Sequence, residues 1–95
     1  MMQKEISLKN GPGLALRMQM KNAALLVIRA KKGFVMCGYL NMSIAEKLGD
    51  AACMVTGVDT FDDVLIAKVV KVSQKAIELG VMEGMTGKEA LDVLS

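Results

Sequence analysis

A chain of 95 residues has room for one hydrophobic core, so 1–95 reads as a single domain with no second core. Hydrophobic residues make up 53% of it before its nine glycines are counted, above the about 45–50% that is usual with glycine included. Net charge is only +2 and histidine is absent, which excludes Ser-His-Asp and Cys-His nucleophile pairs and any histidine-based metal site.

A small domain cannot hide that much apolar surface in itself, and self-association is the cheapest outlet. A homo-oligomer, dimer or tetramer, is therefore expected. No stretch approaches the roughly 18–20 uninterrupted apolar residues of a membrane span, and MMQKEISLK has no apolar run suited to a signal peptide. The expected location is cytoplasmic, with no membrane partner. Cys37 and Cys53 both sit in apolar runs and read as buried free thiols in a reducing compartment. The charge is unevenly placed: residues 1–32 hold seven Lys/Arg against Glu5 alone, while the remainder is net acidic. Solvated basic strand faces are the first reading of that split. Complementary halves meeting across an oligomer interface come second, and a nucleic-acid patch third.

In chain order, residues 2–9 alternate around Ile6 and Leu8. Residues 14–21 place Leu14, Leu16, Met18 and Met20 on one face and Ala15, Arg17, Gln19 and Lys21 on the other. Period two over eight residues is a strand with one face buried. Asn10-Gly11-Pro12-Gly13 supplies the turn. Residues 2–21 thus form an amphipathic hairpin, the candidate oligomerisation region, with Leu14, Leu16, Met18 and Met20 as candidate contacts. Ala23–Ala30 and Gly33–Leu40 are short, nearly continuous apolar runs, as expected of strands covered on both faces. Arg29 is the odd residue there, a charge that must reach solvent or find a partner.

After Leu40 the period becomes helical. Ser43-Ile44-Ala45-Glu46 has capping-box spacing, Ile44, Ala45 and Leu48 form a stripe, and Gly49 ends a helix of about two turns. Ala51–Thr56 is a further buried strand, and the helical connection before it makes the strand pair parallel. Thr60-Phe61-Asp62-Asp63 caps one long helix, whose apolar positions Phe61, Val64, Leu65, Val69, Val72, Ala76 and Ile77 continue to about Leu79. Thr86-Gly87-Lys88-Glu89 caps a short last helix. The expected fold is α+β: a mixed, mostly antiparallel sheet of about five strands, from two N-terminal hairpins and a strand-helix-strand unit. A long and a short C-terminal helix pack on one face.

Chemistry is thinly written. The loop Thr56–Asp63 leaves a strand and enters a helix, a common place for ligands. Cys37, Asp59, Thr60, Asp62 and Asp63 are accordingly the ligand candidates. The glycine spacing of a phosphate loop is missing, and two aspartates already occupy the positive helix end. Asp59 and Asp62 could hold a hard cation weakly, but capping is the favoured reading, and neither a metal nor a cofactor is expected. Cys37 has no visible base, so no catalytic residue is assigned. Lys32–Tyr39 (KGFVMCGY) matches part of an RNA-recognition signature, yet Val35 and Met36 stand where a small residue and a stacking aromatic are needed. The chain therefore does not point to nucleic acid. Met18, Met20 and Met54 read as adaptable core packing.

GFVMCGYL, VTGVDTFDDVL and LGVMEGMTGKEAL occur in that order, and with them the chain resembles the YunC-like family of unknown function found in bacteria and archaea. The matching residues are Gly33, Cys37, Gly38, Gly57, Thr60, Asp62, Asp63, Gly84, Met85, Gly87 and Glu89. The resemblance implies an α+β fold whose N-terminal β region mediates oligomerisation, a tetramer among the options, and carries no activity. The functional expectation is a self-assembling binding or structural module. The alternative is an enzyme or small-ligand sensor with a site near Cys37, Asp59 and Asp62 at a subunit interface.

Overall fold

The computed structural model describes residues 1–95. Strands β1 (Met2–Leu8) and β2 (Gly11–Gln19) pair antiparallel with Leu8 opposite Gly11. The turn is therefore Lys9-Asn10, two residues earlier and tighter than the Asn10–Gly13 turn expected. Contacts remote in sequence fix it: the Lys9 amide donates to Asp92 Oδ1 (2.9 Å) and the Asn10 amide to Ser95 Oγ (3.1 Å). Pro12 is tolerated inside β2 because pairing with β3 (Ala24–Arg29) begins only at Leu14. Strand β4 (Gly33–Met36) continues the antiparallel meander.

Helix α1 (Met42–Leu48) then carries the chain to β5 (Ala51–Met54), which pairs parallel with β4. Its N-cap is Asn41, whose Oδ1 accepts from the amides of Ser43 (2.7 Å) and Ile44 (3.3 Å), so the expected Ser43–Glu46 box does not form. Glu46 instead accepts from the Gln74 amide at 2.9 Å. Gly49 closes the helix in the left-handed region, as its position indicates (φ 74°). Gly33 is glycine because β4 and β5 approach so closely that a Cβ would collide with the Ala51 carbonyl oxygen.

The largest departure lies in the expected long helix. Three elements replace it: α2 (Phe61–Ile66), β6 (Lys71–Val72) and α3 (Gln74–Leu79). Thr60 is the N-cap of α2, as read, with the reciprocal Asp63 contact in place. The helix stops at Ala67, which turns extended (φ −68°, ψ 148°). The β-branched Val69, Val70 and Val72 favour a pleated course, and tertiary hydrogen bonds claim the backbone there. Val69 N–H donates to the Met85 carbonyl (2.7 Å), Val70 N–H to Met54 (2.8 Å), and Ser73 N–H to Ala52 (2.8 Å). Ser73, fully buried, accepts from the amides of Ala52 (2.9 Å) and Ala76 (3.2 Å) and donates to the Asp50 carbonyl (2.8 Å). It thus caps α3 while bonding to β5. Helix α4 (Gly87–Leu94) begins at a Thr86–Glu89 capping box.

The sheet has six strands in the order β1-β2-β3-β4-β5-β6, antiparallel except for β4–β5. The α+β class and the mixed, mostly antiparallel sheet are as read from the sequence. Helices α2, α3 and α4 bury one sheet face in a core that includes Ala15, Leu26, Ile28, Val35, Cys53, Val64, Leu91 and Leu94. On the other face only α1 packs, placing Ala45 on Met36, Ala52 and Met54. Over the N-terminal strands that second face is bare: Leu14 is 39% exposed, Met18 40% and Met20 39%. Met54 packs inside as expected, whereas Met18 and Met20 do not; the core behind β2 is built from the small face residue Ala15. No helix is long and apolar enough to cross a membrane.

Candidate functional site

The C-terminal ends of β4 and β5, the parallel pair, open onto a depression of about 330 Å³ lined by Ala23, Ala24, Cys37, Gly38, Tyr39, Thr56, Gly57 and Val58. Parallel strands deliver both chain ends to the same side, which is why loops carrying polar groups converge there. Cys37 is buried and its Sγ accepts from the Leu26 amide at 3.3 Å. Its neighbours in the lining are apolar side chains, glycines and the hydroxyls of Tyr39 and Thr56, with no carboxylate or amine. Nothing in that lining can take the thiol proton, so the arrangement suits noncovalent binding better than nucleophilic attack. Cys53, on β5 opposite Val35 of β4, is free and fully buried, and burial pushes its thiol up to about 12.

The acidic loop serves other ends. The Asp63 carboxylate accepts from the amides of Asp59 (3.0 Å) and Thr60 (3.1 Å), while Thr60 Oγ1 accepts from Asp63 N–H (3.1 Å). Those backbone donors, Asp59 first, hold Asp63 below the usual carboxylate range. Asp59 is gripped by Arg17: Nε donates to its carbonyl oxygen at 2.6 Å and Nη2 to its carboxylate at 2.9 Å. This clamp ties the loop to β2. Arg17 stands on the helix-side face of β2, whereas the sequence placed it on a basic face expected to be solvated. The signal was present, a long cation two residues from Ala15 on the face that turns inward.

Asp62 lines a second depression, also about 330 Å³, with Met2, Lys4, Arg17, Thr60 and Phe61. Cys37 and Asp62 therefore belong to separate hollows within one chain, and Asp59 lines neither. No group of three or more His, Cys, Asp or Glu side chains is placed to hold a metal ion. Tyr39 and Thr56, which give the Cys37 hollow its hydroxyls, were not singled out from sequence; each stands just past a strand end, a position that only the strand boundaries reveal.

On the second sheet face, Leu14, Leu16, Val27, Arg29, Phe34 and Leu40 line a hollow of about 340 Å³. Leu14, Leu16 and Met18 share one face of the sheet with their register partners across β2–β3, Arg29, Val27 and Leu25. Met20 continues the exposed apolar run just past the end of β2.

The fold and these hollows define a small mixed-sheet α+β domain without a recognisable catalytic constellation. Residues 36–94 match the family described as "Domain of unknown function (DUF1805)". The chain is 32% identical over 90 residues to "Uncharacterized protein YunC" of Bacillus subtilis (strain 168), covering 90% of this chain and 89% of that one. It also resembles the crystal structure of a protein of unknown function, TA1206 from Thermoplasma acidophilum. That match has TM-score 0.94 and 39% identity, and covers 99% of this chain and 92% of that one. The chain belongs to the DUF1805 family, which includes YunC-like proteins of bacteria and archaea.

Proposed function

We propose that this domain is a self-assembling module whose second sheet face, presented mainly by the residue 2–21 hairpin, packs against further copies of the same chain. The observation that carries this reading is the bare apolar surface over β2–β4, with Leu14, Met18 and Met20 each about two-fifths exposed and Leu16, Val27 and Phe34 half-buried beside them. Soluble monomers seldom leave more than a few hundred Å² of contiguous apolar surface open. A twofold partner offers the same patch and covers both at once. Replacing Leu16 and Met18 together by Asp places like charges in that contact and dissociates the assembly, while the monomer fold, read by circular dichroism, persists. An unchanged mass for the double variant contradicts the interface assignment.

A second reading adds a small ligand in the Cys37 hollow, favoured by its place at the ends of the parallel strands and by its Tyr39 and Thr56 hydroxyls. Asp59 and Asp62 join such a site only if a neighbouring copy brings them. Thr56→Val and Tyr39→Phe test it against a metabolite panel by thermal shift: a ligand that stabilises the parent chain and not these variants supports the site, and equal shifts oppose it.

A further inference from the structure

Across β1–β4 the strand residues of the second sheet face carry two charges, beside the uncharged polar Gln3 and Ser7 of β1, and the strand register sets those charges in one row. Glu5 lies opposite Leu14, Leu14 opposite Arg29, and Arg29 opposite Phe34. Residues directly opposite share a face, so the row across β1–β4 reads Glu5, Leu14, Arg29, Phe34. Both charges are exposed. The chain's two ion pairs are Arg17–Asp59 and Lys88–Asp92, so neither Glu5 nor Arg29 is paired within the chain. They border the same hollow of about 280 Å³ from opposite sides of Leu14, with Lys31 adding to the positive side.

Resting on the self-assembly proposed above, the geometry points to a face-to-face pairing of two copies about a twofold axis that runs parallel to β2 above Leu14. In it, each Glu5 meets the partner's Arg29. Such an axis exchanges the two sides of β2, so β1 of one copy lies over β3 of the other while positions along the strands are kept. Leu14 then packs on the partner's Leu14 in the centre, flanked by two Glu5–Arg29 pairs. Packed sheets sit about 10 Å apart, a gap that glutamate and arginine side chains span together. A twofold axis perpendicular to the strands would instead set Glu5 on Glu5 and Arg29 on Arg29, bringing like charges together. The charges thus choose the orientation, and the apolar residues around them supply the contact. This gives Arg29 its reason for standing in a central strand.

The test uses the full chain at physiological salt, with association measured by sedimentation. Glu5→Arg and Arg29→Glu each place like charges at both pairs, and each weakens association at least tenfold. Both positions are exposed in the single chain, so circular dichroism and melting stay near those of the parent. Mixing the two weakened variants one to one restores association, because one contact then sets Arg at position 5 against Glu at position 29 and the other keeps Arg29 against Glu5, so both pairs are of opposite charge. A mixture that associates no better than its components overturns the pairing, as do single variants that associate like the parent; either result leaves self-assembly standing. A parent chain that sediments as a monomer overturns both.

Discussion

Cys53 and Ser73 show how single buried atoms organise this domain. Cys53 Sγ lies near the Phe34 carbonyl oxygen (4.0 Å), and burial raises its thiol to about 12, so almost no thiolate exists at neutral pH. Cys37 is buried as well, its sulfur engaged by the Leu26 amide. Native protein is therefore expected to react slowly with a thiol reagent at pH 7, and denatured protein to label both cysteines quickly. Rapid native labelling of Cys37 would contradict its assignment as packing. Ser73 is the more consequential residue. Its hydroxyl serves two amides and one carbonyl in a site sealed from water. Ser73→Ala leaves the Ala52 amide and the Asp50 carbonyl without that partner, a loss of about 1–3 kcal/mol for a buried orphaned group. Urea denaturation reads this as a lower midpoint with unchanged slope; an unmoved midpoint would show that water replaces the hydroxyl.

At the scale of elements, local signals were legible where they were chemically complete. Thr60 and Thr86 each precede an acid by three residues, and both form reciprocal caps. Gly49 and Gly80 end helices with positive φ. Ser43 misled because Asn41, two residues earlier, is as good a cap, and its side-chain oxygen takes the Ser43 and Ile44 amides. The 60–79 segment misled for a different reason. Its apolar spacing fits a helix, but Val69, Val70 and Val72 also fit a strand, and hydrogen bonds to Met54, Met85 and Ala52 decide the matter from a distance. Periodicity along one segment contains no information about those partners.

The caps also set the acid response. Backbone donors lower Asp63 and Glu89, led by the Asp59 amide for the first and the Thr86 amide for the second. For Asp92, burial raises the carboxyl, but the Lys88 ammonium, the Lys9 amide and nearby charge outweigh it and leave it lowered. A carboxyl lowered in the folded state binds fewer protons there than in the unfolded chain. Its stabilisation is present above the unfolded value, near pH 4, and is lost as pH falls from there through the lowered folded values. Denaturation midpoints should hold steady down to about pH 4–5 and drop below it. Asp92→Asn removes one contributor, so the variant should lose less stability on acidification than the parent. An equal loss in both would deny Asp92 that part.

For the whole molecule, the governing fact is a sheet with helices α2–α4 on one face and only α1 on the other. The sequence foretold this imbalance through the Leu14-Leu16-Met18-Met20 stripe and the small number of helices. What it did not disclose was which face of β2 turns inward: Ala15, not the large residues, meets the core. Ala15 shares the inward face with the larger Leu26 and Ile28 of β3, which fill the core against Leu91 and Leu94 of α4. The large apolar residues of β2 stand on the outer face, where the proposed second copy covers them. The hydroxyl-lined hollow beside Cys37 was illegible for a related reason, because it exists only once β4 and β5 end side by side.

The most direct measurement is the mass of the parent chain in solution, by sedimentation equilibrium at micromolar concentration and physiological salt. The account predicts a particle of at least twice the 10.2 kDa chain mass, falling to the chain mass when Leu16 and Met18 are both replaced by Asp. A parent chain that remains at the single-chain mass across that range would contradict it.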